Sequence, residues 1–168
     1  MKFWRIVIVA AVAGLAAFWV WALFFASKEA VNKIDDRQWA LRAESICDVA
    51  TAERELLVDE RVVGDDPAML AERADIVDEA TDIVESMLDD VTAVRPADAK
   101  GMEIVPLWEA DYRIYLENRR AFSERLRLGA NEPFTEAAVD GIPISEKLEQ
   151  FAGDNEMPSC APPHDLAN

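Results

Sequence analysis

The feature that most constrains this chain is an uninterrupted apolar run from Ile6 to Ala26, IVIVAAVAGLAAFWVWALFFA, with no charge and no proline in its 21 residues. A helix rises about 1.5 Å per residue, so the run is about 31 Å long, the thickness of a bilayer core. Trp4 sits at one end and Trp19 and Trp21 lie near the other, with Lys2, Arg5 and Lys28 bracketing the run. Indoles and cations at the ends of an apolar helix are interfacial anchors. A cleavable signal peptide has a shorter apolar core that ends in a small-x-small triplet. Here the triplet Ala11-Val12-Ala13 comes too early and the run ends in Leu23-Phe24-Phe25-Ala26. No cysteine follows closely enough for lipoprotein processing. The expectation is an uncleaved transmembrane helix over residues 6–26, after a basic N-terminal tail of residues 1–5 and before a juxtamembrane segment of residues 27–35.

The direction of insertion rests on opposing signals. Lys2 and Arg5 precede the run, whereas Lys28, Lys33, Arg37 and Arg42 follow it, and a bare count places the larger positive cluster, and so the following domain, in the cytoplasm. The later cations are interleaved with Glu29, Asp35 and Asp36, however, and a short basic head before a long apolar run has the form of a signal anchor. Together with the two cysteines, this favours a cytoplasmic N-terminus and an extracytoplasmic domain in the cell membrane. Ala10, Ala13, Gly14 and Ala17 recur at i, i+3, i+4 and i+7, a small-residue face on which another transmembrane protein, or a second copy, can approach closely. Alanine is also simply common in such helices.

Beyond the anchor the apolar spacing is helical. Asp35 or Asp36 can cap a helix carrying Trp39, Ala43, Ile46, Cys47, Ala50 and Leu57, which is expected to end near Asp59. Val63-Gly64-Asp65-Asp66-Pro67 breaks the chain and starts a second helix, since aspartate caps and proline is tolerated in a first turn. Leu70, Val77, Val84 and Val91 repeat every seven residues along it, with Ala80, Met87 and Val94 beside them, until Arg95-Pro96. The pattern weakens from Ala97 to Pro106. Trp108, Tyr112, Tyr115, Phe122 and Leu126 then mark a third helix, closed by Gly129. Residues 130–144 read as a loop, and Ser145 as the cap of a short fourth helix with Leu148, Phe151 and Ala152 inward. The fold class expected is all-α: an antiparallel bundle of three long helices and a short fourth over residues 36–160, with residues 161–168 as a flexible tail.

Charge and the inventory of reactive side chains narrow function mainly by exclusion. The chain holds 17 basic and 33 acidic residues, a net charge of −16. A domain this acidic repels nucleic acid and anionic lipid headgroups. Its single histidine, His164, lies in a proline-flanked stretch, so neither a histidine-based metal site nor a Ser-His or Cys-His pair is expected within the domain. No phosphate-binding glycine loop or nucleophile elbow occurs. Neither catalytic residues nor a cofactor is therefore assigned. Cys47 and Cys160 lack the spacing of a zinc or redox motif, leaving either a disulfide in an oxidising compartment or two separate thiols.

The anchor, Glu44-Ser45-Ile46-Cys47 early in a helix, the block Trp108-Glu109-Ala110-Asp111-Tyr112-Arg113-Ile114-Tyr115-Leu116, and the closing Asn155-Glu156-Met157-Pro158-Ser159-Cys160 together resemble a group of uncharacterised actinobacterial single-pass membrane proteins. The resemblance spans nearly the whole soluble part and implies an extracytoplasmic helical domain with a Cys pair. It implies no activity, so no functional residue transfers.

Two constellations carry alternatives. Asp75, Asp78, Asp82, Glu85 and Asp89 form an acidic stripe able to attract a hard cation, but they fall at heptad positions away from the core and read as a solvated face. Trp108, Tyr112, Tyr115 and Phe122, beside Arg113, Arg119 and Arg120, can line a ligand pocket but more commonly form core, with Asp111 as a partner for the tyrosine hydroxyls. The functional expectation is a membrane-anchored module working through protein contacts, an accessory or scaffold component of the cell envelope or of a membrane complex. A small-molecule or cation sensor is the alternative, and a carboxylate-based hydrolase stands behind it.

Overall fold

The computed structural model describes residues 2–25, 30–57, 64–139 and 141–166. The chain divides into two compact units, residues 1–30 and 31–168. The first is one helix, α1 (Lys2–Phe24), in which Phe3–Phe24 form a stretch of mean hydropathy 2.5 with none of it buried. It is long and apolar enough to cross a membrane. Ala26 and residues 27–29, the expected end of the span and start of the juxtamembrane segment, lie outside the described residues.

The second unit is the expected helical bundle, α2 (Arg37–Glu55), α3 (Pro67–Thr92), α4 (Ala99–Arg127) and α5 (Ile144–Asp154), with a two-stranded hairpin and a single 3-10 turn added. α2 begins at Asp36, whose carboxylate accepts from the Trp39 amide, and buries Trp39, Ala40, Ala43, Cys47 and Ala50. It is α-helical only to Glu55; the region of Asp59, where the helical spacing placed its end, lies outside the described residues. α3 starts as the Asp66-Pro67 pair dictates, and Leu70, Val77, Val84 and Val91 are all buried. Val94 is not; it lies beyond the end of the helix and is exposed. Val94 instead supplies a carbonyl, which accepts from Trp39 Nε1 at 2.7 Å and from Arg42. Arg42 also reaches the carbonyls of Asp90 and Val91, so one guanidinium of α2 satisfies the open C-terminal end of α3.

α4 starts seven residues before the proline at which its pattern becomes clear. Asp98 caps it by accepting from the Gly101 amide at 2.7 Å, and Pro106 lies inside the helix. The carbonyl that Pro106 leaves without an amide belongs to exposed Met102, which lowers the cost of the interruption. Asp36 and Asp98 also bind each other's segments: Asp98 accepts from the Asp36 amide and Asp36 from the Ala97 amide. Two N-caps thus lock the starts of α2 and α4 together. Gly129, at φ +84°, ends α4 in the left-handed conformation that glycine adopts without penalty.

Residues 130–144 are more ordered than a plain loop, since β1 (Ala138–Val139) pairs antiparallel with β2 (Ile142–Pro143) across a turn containing Gly141 at φ +81°. Ser145 is not the cap of α5, which starts at Ile144. Its amide and hydroxyl both donate to the Glu136 carboxylate, so a glutamate from the preceding segment satisfies the first turn. One aromatic core joins the elements. Trp108 stacks on Phe151 at 5.2 Å and meets Trp39 and Tyr112 edge-on.

Candidate functional site

Cys47 lies three turns into α2 and is bonded to Cys160 across 113 positions of sequence, both residues fully buried. Cys160 closes the 3-10 turn Pro158–Cys160, which begins with the Ser159 amide and hydroxyl both donating to Glu44 of α2. After it the chain does not leave the domain, as a flexible tail from residue 161 would; residues 161–166 lie along α4, while Ala167 and Asn168 fall outside the described residues.

This C-terminal strap advances along α4 one contact at a time. Tyr112 donates to the Cys160 carbonyl at 3.4 Å, Tyr115 to the Pro163 carbonyl at 2.8 Å, and Arg119 holds Asp165 by two bonds of 2.6 and 2.8 Å. Leu166 then packs with Leu70, Ala74, Val77, Phe122 and Leu126. Both tyrosine hydroxyls are therefore satisfied by strap carbonyls. Asp111, the partner expected for them, pairs with Lys147 at 2.8 Å instead.

Arg119 is the charge at the centre of this arrangement. Its side chain is 0% exposed, with Nε on the Thr81 hydroxyl at 2.9 Å and the Tyr115 ring 5.9 Å away. Burial pushes its pKa down, but the hydrogen bonds and charge of Asp165 outweigh that and hold it protonated. Burial likewise raises Asp165, and the bonds from Arg119 more than reverse this, keeping it ionised below the ordinary carboxylate range. Burial raises the Tyr112 and Tyr115 phenols, which stay neutral donors. In chemical form this is a cradle for a carboxylate, filled by the chain's own Asp165.

The acidic stripe of α3 is not simply solvated. Arg113, Arg120 and Arg127 recur every seven residues along α4, and they meet Asp89, then Asp82 with Glu85, then Asp75 with Asp78. The stripe lies beside the α4 contact because Ala74, Thr81 and Leu88 are buried, and these sit on the helix next to the stripe's own positions. The matching sevenfold spacings run in opposite directions, which fixes α3 and α4 as antiparallel. Among the described residues no group of three or more His, Cys, Asp or Glu is placed to hold a metal ion. His164 is exposed and lies 3.3 Å from Glu149. Among the described residues Ser123 donates to Asp78 at 2.6 Å, and the one histidine, His164, pairs with Glu149 instead.

Trp108, Tyr112, Tyr115 and Phe122 are buried core residues. Ala10, Ala13, Gly14 and Ala17 lie exposed on one face of α1, where a Cβ on Gly14 would meet nothing within 4 Å. An open groove lies elsewhere, between α2 and α3. It has a volume of about 610 Å³ and is floored by Ile46, Val49, Ala50, Ile83 and Met87 and rimmed by Ser45, Glu53, Asp82, Ser86 and Asp90. Sequence pattern missed it, because a half-buried Ile46 or Ile83 has the same spacing as a core residue. No family model matches the chain, and no curated protein or solved structure is significantly similar to it.

Proposed function

We propose that the protein is a membrane-tethered module whose disulfide-stapled helical domain lies on the extracytoplasmic side and works by holding a protein partner. The observation that carries this reading is the α2–α3 groove, an apolar floor left open in a bundle otherwise tied together by the arginine ladder, the aromatic core and the strap. Helix-lined apolar grooves with polar rims are contact surfaces. The exposed apolar helix α1 supports a tether, and the Cys47–Cys160 bond supports an oxidising compartment. Together those two favour an orientation with the N-terminus inside.

The reading is tested in intact cells. The protein should remain in membranes through alkaline carbonate extraction, its cysteines should resist thiol labelling unless reduced, and protease added outside should remove the domain. A domain protected from external protease would overturn the orientation. A photo-reactive residue at Val49 should give discrete adducts with protein in native membranes, and a complete lack of adducts would end the contact role.

A further inference from the structure

Resting on that contact reading, we infer that the α2–α3 groove takes one class of partner: a short amphipathic helix with an aliphatic stripe flanked by lysines or arginines. Length sets the first requirement. The groove is lined by residues 45–53 of α2 and 82–90 of α3, about 12 Å of helix at 1.5 Å per residue, which matches two turns of a docked helix. Such a segment presents two to three apolar side chains on one face, at about i, i+3 or i+4, and i+7.

Charge sets the second. Three lining residues are acidic and none is basic, which leaves a uniformly negative rim. Asp82 is already matched by Arg120, but among the described residues no ion pair engages Glu53 or Asp90. Glu53 belongs to the α2 wall and Asp90 to the α3 wall, and because the helices are antiparallel they stand at opposite ends of the groove. Arg42, at the Asp90 end, is turned to the carbonyls of Asp90 and Val91 and is not among the residues that line the groove. A helix lying between the walls therefore meets an unmatched carboxylate at each end, and cations flanking its apolar stripe answer both. A second copy of this chain, at net charge −16, brings like charge to that rim. The floor supplies adaptable packing, since the Met87 side chain is unbranched and Val49 is 58% exposed.

The experiment uses the full chain in zwitterionic nanodiscs with methyl-labelled Ile and Met, titrated with a helical peptide of leucine and lysine at those spacings. Empty discs supply the baseline for adsorption to lipid. The expected result is saturable movement of the Ile46, Ile83 and Met87 methyl signals, suppressed by salt, and absent for a peptide in which every lysine is glutamate. Ser86→Arg, at an exposed groove position, should weaken binding by about tenfold or more, because like charge now faces the peptide. Ala121→Arg, an equal charge change at an exposed position of α4, should leave it within about twofold. Equal binding of the glutamate peptide, equal loss in both variants, or methyl movement confined to other regions would overturn the inference. A Val49 photo-adduct with a protein that has no basic amphipathic segment would also overturn it, while leaving the contact reading intact.

Discussion

Arg119 and Asp165 offer the sharpest test of how the strap is held, because the two partners sit in different surroundings. The Arg119 side chain is 0% exposed, while that of Asp165 is 28% exposed. Asp165→Asn leaves a buried guanidinium with a neutral partner, and stranding a buried charge costs about 3–5 kcal/mol. The strap can instead let go and admit water to Arg119. That route exposes Leu166, worth about 1.5–3 kcal/mol, and breaks the Tyr115–Pro163 bond, worth about 1 kcal/mol, so the cost settles at about 3 kcal/mol. Arg119→Met removes the same ion pair but leaves a carboxylate that already reaches water. The Thr81 hydroxyl also loses Arg119, yet it still donates to the Val77 carbonyl at 2.6 Å and is not orphaned. The expected cost of Arg119→Met is therefore only about 1 kcal/mol. Combining Arg119→Met with Asp165→Leu should return most of the stability, since an apolar pair of similar volume replaces a buried ion pair without stranding a charge. Urea unfolding of the full chain in detergent micelles, followed by the fluorescence of Trp39 and Trp108, measures all three. If Arg119→Met proves as damaging as Asp165→Asn, the asymmetry of burial is not what governs this contact and the reasoning fails.

Three further outcomes follow from the same structure. Reduction of the Cys47–Cys160 bond frees a loop of 113 positions in the unfolded chain, and the loss should be about 5 kcal/mol, read as a lower urea midpoint for the Cys47→Ala/Cys160→Ala protein; a shift worth under about 1 kcal/mol would refute the chain-entropy account. Gly101→Ala should destabilise by about 1–2 kcal/mol although alanine is the better helix former, because the added Cβ falls 2.6 Å from Asp98 Oδ1 and 2.7 Å from Pro96 Cβ; a raised melting temperature would contradict it. The Ala97 and Trp39 amides lower the Asp36 pKa, and at Asp98 burial raises it while the Gly101 and Asp36 amides lower it further. Both folded-state values thus lie below the unfolded value of about 3.9, so the stabilisation is complete above that pH and lost as pH falls through the lower folded values. Unfolding midpoints between about pH 5 and pH 2 should fall steeply, and Asp98→Asn, which still caps α4, should flatten that fall.

Much of the bundle was legible because its cues are local. Asp66-Pro67 starts α3, Gly129 ends α4, and the sevenfold repeat of Leu70, Val77, Val84 and Val91 names a buried face, each by a rule that needs only near neighbours in sequence. What escaped depends on partners far along the chain. The start of α4 at Ala99 is fixed by Asp98 together with Asp36, which lies 62 positions earlier, and Asn155 binds the amide of Ile34 and the carbonyl of Asn32 across more than 120 positions. No window on the sequence contains both ends of such a bond.

Arg119 shows where a signal was present and unread. It shares the stripe of Tyr112, Tyr115 and Phe122, at intervals of three and four residues, so the periodicity that marks those aromatics as core also places a guanidinium in the core. A buried guanidinium requires a carboxylate and further hydrogen-bond acceptors. The acids of α3 were already spoken for by the second arginine series, Arg113, Arg120 and Arg127, whose sevenfold spacing matches theirs. That leaves a carboxylate from outside the long helices. Asp165 stands five residues after a cysteine that must itself reach α2, which is close enough in chain length to be drawn along α4 once Cys160 is fixed. The disulfide and the ion pair thus act in sequence on one segment: the first brings the strap to the bundle, and the second fixes its register.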